Sequence, residues 1–199
     1  MGELSADDLR HYASQYYPHV AAFPTYLSSL HSRLEDGELR RSVLRNLADE
    51  EIEGTAHADL WMDFAIGMGG DAAAVRSAEP VREVSDVVNH FRSVAQRSSV
   101  AAALATFYSY ESQVPRIAAE KRKGLREHYG ADAKTARYFA VHETADVHHS
   151  QEWMRMLETV LAEKPGLRDA ALDAAEEAAA ALWRALDGIE RERQWRKVN

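Results

Sequence analysis

Hydrophobic positions along the chain recur at helical spacing, and no segment alternates polar and apolar residues long enough to make a strand. The pattern predicts a first helix from about Ala6 to Leu34, opened by Ser5 and Asp8 at capping-box spacing, with Asp in place of the usual Glu. Pro18 and Pro24 are expected to kink or divide it, since each removes a backbone donor. A long helix follows over Glu38–Ile66 and stops at the glycine-rich Gly67–Gly70 stretch, and a short one covers Asp71–Ser77. Pro80 opens the next, through Asp86–Ala95. Further helices are predicted over Val100–His128 with a bend at Pro115, Thr135–Glu163, and Leu167–Gln194, whose alanine and glutamate content favours helix strongly. No internal repeat and no linker of biased composition interrupts them. Residues 1–199 therefore read as one all-α helical bundle domain.

Composition narrows the chemistry. The chain has 199 residues and no cysteine, which excludes disulfides, zinc–thiolate sites and cysteine-held iron–sulfur clusters. Any metal must be held by His, Asp and Glu. The net charge of −8 argues against a general grip on nucleic acid. No apolar run approaches a membrane span, and the polar, acidic N-terminus is not a signal peptide, so a cytoplasmic location is the default.

Three stretches carry candidate chemistry. In HETADVHH, His142, Asp146 and His149 fall at i, i+4, i+7 and share one stripe of a helix, whereas Glu143 and His148 point elsewhere. Two imidazoles and a carboxylate on one face suit a divalent metal, although an exposed polar stripe has the same spacing. In NLADEEIEGTAHADLW, Glu50 and His57 lie two turns apart on the predicted helix, about 10 Å along its axis. That is workable only if each reaches a different member of a metal pair. Glu53 and His57, at i, i+4, are the easier single-metal pair, and spacing does not choose between the two glutamates. Asp49, Glu50, Glu51 and Glu53 equally read as a solvated acidic face. In the third stretch, Glu111 interrupts an apolar face formed by Ala103, Thr106, Phe107 and Tyr110, and a carboxylate facing a core needs a partner. Lys121, Arg122 and Lys123 read first as a solvent-facing basic cluster. Taken together, the three sets offer six nitrogen and oxygen ligands on separate helices, a composition suited to non-heme di-iron or iron–manganese sites, without the paired Glu-x-x-His motifs of ferritin-like bundles.

The stretches YYPHVAAFPTYLSSLHS, NLADEE, HADLWMDFAIGMG, FYSYESQVPRIAAEK and HETADVHH resemble the heme-oxygenase-like di-iron oxidases, which bind no heme. Within that superfamily the chain is most similar to the family of the Chlamydia protein associating with death domains, over about Gly2–Glu158. The resemblance implies a heme-oxygenase-like (TenA/PqqC-like) bundle. It also implies two non-heme metal ions, Fe/Fe or Mn/Fe, held by Glu50, His57, Glu111, His142, Asp146 and His149. It thereby selects Glu50 over Glu53. The activity implied is oxygen-dependent formation of p-aminobenzoate, the aromatic precursor of folate, from a tyrosine of the protein itself. Lys121 aligns with the lysine that supplies the amino nitrogen, and Tyr110 matches an active-site tyrosine. Family members carry a further helix before the GEL segment, and the consumed tyrosine sits on it. This chain begins where that helix would have ended, so either the true start lies upstream or the consumed residue is lacking; Tyr12, Tyr16 and Tyr17 are candidate substitutes, and exposed apolar surface or its burial in a homodimer is expected. Two alternatives stay open: a di-iron oxygenase acting on a small amine, amino acid or fatty acid, and a protein-interaction module without catalysis.

Overall fold

The computed structural model describes residues 3–198; the first two residues, where the family's preceding helix would join, and Asn199 lie outside the described part. Among the described residues there are nine α-helices and no strand. In chain order they are α1 (Ala6–His31), α2 (Glu38–Glu51), α3 (His57–Gly67), α4 (Ala72–Ser77), α5 (Arg82–Arg97), α6 (Val100–Glu111), α7 (Val114–Tyr129), α8 (Arg137–Glu163) and α9 (Arg168–Val198). A 3₁₀ turn over Pro165–Leu167 joins the last two. No helix among the described residues is long and apolar enough to cross a membrane.

Helix α1 starts as its cap predicts. Asp8 N–H donates to Ser5 Oγ at 3.1 Å, and Ser5 N–H donates to the Asp8 carboxylate at 2.7 Å, so two orphan amides are satisfied reciprocally. The expected division at Pro18 and Pro24 does not occur, and the helix is continuous through both. Its buried side, with Tyr16, Val20, Phe23, Tyr26, Leu27 and Leu30, packs against α2, α3, α4 and α5. That burial outweighs the lost hydrogen bonds.

Two other expectations are corrected, and both corrections shape the site. The single helix expected over 38–66 is two helices, parted at residues 52–56 around Gly54, whose φ of 86° suits glycine. The amides of Ile52 and Glu53 both close on Ala48 O, at 2.8 and 2.9 Å, ending α2 directly after Glu50 and Glu51. The helix expected over 100–128 likewise does not bend at Pro115 but breaks at Ser112–Gln113. Pro115 becomes the second residue of α7, where its missing N–H costs nothing.

Helix α8 lies against both α6 and α7, and α9 lies against α5 and α6, so α6 is enclosed on two sides. Its apolar residues from Ala101 to Ala105, together with Phe107, are buried accordingly. Where α5 meets α9 the approach is close: a Cβ on Gly188 would lie 2.6 Å from the Glu83 carboxylate.

Candidate metal centre

The break at 52–56 turns α3 back so that its first residue meets the end of α2. His57 Nδ1 lies 2.8 Å from Glu50 Oε2, although both groups were expected two turns apart on one helix. The contact is close but is not aligned as a hydrogen bond. The His142 ring, from α8, lies 4.4 Å from that of His57. Candidate ligand atoms of Glu50, His57 and His142 lie within 4.8 Å of one another, and so do those of Glu50, Glu111 and His149. Glu50 belongs to both groups. Asp146 lines the same small cavity as Glu50, Glu111 and His142, and its carboxylate stands 3.6 Å from His149 Nδ1. All six residues singled out from the sequence are buried, and they converge from α2, α3, α6 and α8.

Neighbouring groups orient them. His142 Nδ1 is 2.8 Å from Tyr138 O, one turn back on α8; an N–H there donates to the carbonyl and leaves Nε2 as the lone-pair nitrogen. His149 Nε2 is 3.0 Å from Asp49, which leaves Nδ1 facing Asp146 and Glu111. Trp153 donates its indole N–H to Glu111 Oε2 in a short hydrogen bond. Asp49 and Trp153 escaped the sequence reading. Trp153 follows His149 by one turn on the same stripe, a signal that was available. Asp49 was indistinguishable from its acidic neighbours, of which Glu51 and Glu53 are exposed. Glu143 pairs instead with Arg122 at 2.7 Å, and His148 is exposed.

The charges answer one another. Burial opposes ionisation of Glu50, yet His57, His142 and His149 hold its carboxyl below the usual range. Glu111 is pushed well above it, first by burial and then by Asp146 and Glu50, against the pull of His149. Burial works against the charge on His149, but Asp146, Glu111 and Asp49 outweigh it and raise the imidazole to about 10. Three atoms inside the cluster, His57 Nδ1, Glu111 Oε1 and His149 Nδ1, have no hydrogen-bond partner. Buried polar atoms left so are costly, and a divalent cation among three carboxylates and three imidazoles would satisfy them. A separation of 2.8 Å, as between His57 and Glu50, also suits two donors of one ion, each about 2.0–2.2 Å from it. The residues fit a metal.

Tyr110 and Tyr138 separate this cluster from a second cavity of about 130 Å³, and both line it as well. Lys121 lies there rather than in solvent: its Nζ donates to Tyr12 Oη at 2.6 Å and sits 5.8 Å from the centre of the Phe139 ring. Burial lowers its amine to about 8. Lys123 alone of the basic trio is exposed, and Lys121 and Arg122 are partly buried. Tyr110 precedes Glu111 at the end of α6, and its phenol pairs with that of Tyr16.

The chain is 39% identical over 189 residues to a 4-aminobenzoate synthase of Chlamydia pneumoniae, spanning 94% of this chain and 83% of the relative. It is 39% identical over 198 residues to one from Nitrosomonas europaea, spanning 94% and 80%. The fold is shared with a TenA homologue of Pseudomonas syringae pv. tomato, with a TM-score of 0.83 at 18% identity over 95% of this chain and 81% of that one. It is shared too with a heme-oxygenase-like domain of Shewanella denitrificans, with a TM-score of 0.86 at 16% identity over 98% and 83%. Residues 10–183 match the family described as iron-containing redox enzymes. With its buried His and carboxylate cluster enclosed by a heme-oxygenase-like bundle, the chain belongs to that family of iron-containing redox enzymes.

Proposed function

We propose that the chain is a 4-aminobenzoate synthase: an oxygen-dependent oxidase with two metal ions that builds its product from a tyrosine ring, with Lys121 as nitrogen donor. The observation that carries this reading is the pair of three-residue groups sharing Glu50, since two overlapping ligand sets are what a dinuclear centre requires. In this reading Glu50, His57 and His142 would hold one ion and Glu50, Glu111 and His149 the other, with Asp146 serving the same centre. An iron or manganese–iron pair, when bound, supplies the redox capacity that oxidation of an aromatic ring by dioxygen needs.

The chain's own residues position and tune. Tyr138 O holds the His142 tautomer, Asp49 holds that of His149, and Trp153 holds one oxygen of Glu111. At pH 7 an amine titrating near 8 is unprotonated in roughly a tenth of molecules, far more than an exposed lysine provides. Its nitrogen lies 2.6 Å from the Tyr12 hydroxyl, so a phenol ring and a nucleophilic amine are already neighbours. The Tyr110 and Tyr138 rings stand between that pair and the metal ligands.

The test is reconstitution with iron, or iron and manganese, followed by reductant and oxygen, with 4-aminobenzoate quantified and the intact protein weighed. Product no greater than one per chain, with a matching change in protein mass, is expected. Repeated turnover on added free tyrosine would overturn the self-derived ring and leave a small-molecule oxidase. Full metal loading without any product would overturn the 4-aminobenzoate assignment.

A further inference from the structure

The cavity beyond Tyr110 and Tyr138 has a composition that the metal cluster does not explain. Its volume of about 130 Å³ is close to the size of engineered apolar cavities, ~150 Å³, that take up benzene. Aromatic rings form much of its wall, among them Tyr12, Trp61, Tyr138 and Phe139, and no acidic residue lines it. Lys121 is the one cationic side chain in the lining. Among the described residues no carboxylate comes within ion-pair distance of its Nζ, and Tyr12 Oη is its hydrogen-bond partner. A half-buried ammonium without a counter-charge is unusual, because cations held in apolar surroundings are ordinarily paired. At the other end the cavity reaches the surface between α7 and α9, where Ile117 and Leu186 are each 37% exposed and Trp183 is 65% exposed.

From these features we infer that the cavity is a binding site for a free aromatic monocarboxylate, its ring between Tyr12, Trp61, Tyr138 and Phe139 and its carboxylate paired with Lys121. The inference rests on the oxidase reading for its biological sense, since 4-aminobenzoate released by one chain is such a molecule and can settle in another chain whose Lys121 is still intact. It assigns Lys121 a second role, as the cation that holds a carboxylate, separate from the amine that gives up nitrogen. One ring fills the volume, and the charge selects acids over neutral rings of the same shape. Burial lowers Lys121 to about 8, and an anion settling beside it favours the charged form, so near and above that pH ligand and proton bind together. The Trp183 indole at the mouth is placed to report entry.

The experiment is calorimetric titration of the full chain, metal-free and iron-loaded, with benzoate, 4-aminobenzoate, benzamide and acetate, following tryptophan fluorescence in parallel. Using metal-free protein removes carboxylate binding to iron as an explanation. Benzoate and 4-aminobenzoate are expected to bind one per chain, benzamide about tenfold or more weaker, and acetate not measurably. Lys121→Met should weaken benzoate tenfold or more, while Lys121→Arg, which keeps the cation and loses the nucleophile, should stay within a few-fold. Equal binding of benzamide and benzoate, or no binding of either, overturns the inference and leaves the oxidase reading standing. Normal benzoate binding in a fully metallated chain that forms no product overturns the 4-aminobenzoate assignment alone.

Discussion

Two cavities share the wall made by Tyr110 and Tyr138, and they treat charge in opposite ways. On the side of α2, α3 and α8, ionisable groups stand 2.8 to 3.9 Å from one another, and each shifts its neighbours: His149 upward, Glu50 downward, Glu111 upward. On the side of α7 and α9, one amine faces rings and a phenol, and burial alone shifts it. The first arrangement is a set of ligands with their supports. The second is a single charge held in reserve, at a cost in stability. Burying polarity in company produces a network whose members fail together, and burying it alone produces a group that responds to whatever enters.

The largest expected effect lies on the crowded side. Glu50→Ala removes the residue common to both three-residue groups, so iron content measured by mass spectrometry should fall from two ions per chain to none, with product lost. Retention of one full equivalent would show that the groups are independent. Asp49→Asn acts one step further out, through His149, and should weaken metal binding about 10–100-fold without changing the ligand set. An unchanged affinity would make Asp49 a bystander.

On the lone-charge side the sign reverses. Lys121 titrates near 8 in the fold against an ordinary lysine value of 10.5, so between those values the folded chain holds fewer protons than the unfolded one. Stability therefore rises with pH across that window, and the charged lysine costs stability below it. Lys121→Met should stabilise the chain by roughly 2 kcal/mol at pH 7, after allowing ~1 kcal/mol for the lost bond to Tyr12, with the gain fading by pH ~10.5. Urea unfolding at several pH values measures this, and a loss of stability at pH 7 would contradict it. The smallest effect is again in the cluster. Glu111 is driven toward its neutral form in metal-free protein, so the isosteric Glu111→Gln should change the metal-free unfolding free energy by less than about 1 kcal/mol while reducing metal uptake. A large change in the metal-free melt would mean that the carboxylate is ionised there.

What the sequence determined by itself was local and periodic. The capping box at Ser5 and Asp8, the shared stripe of His142, Asp146 and His149, and the interruption of an apolar face by Glu111 all follow from 3.6 residues per turn and the cost of an unpaired buried carboxylate. The choice between Glu50 and Glu53 did not follow from spacing; the family resemblance made it, and in the fold Glu50 is buried while Glu53 is exposed. Only tertiary structure parted α2 from α3 and set His57 against Glu50, because a glycine permits a left-handed turn without requiring one. It likewise placed Lys121 inside although its neighbour Lys123 lies in solvent, and drew Asp49 to a histidine 100 positions away. Periodicity assigns a residue to a face of its own helix, but what that face meets depends on helices from distant parts of the chain, and that is where the pairing of charges is decided.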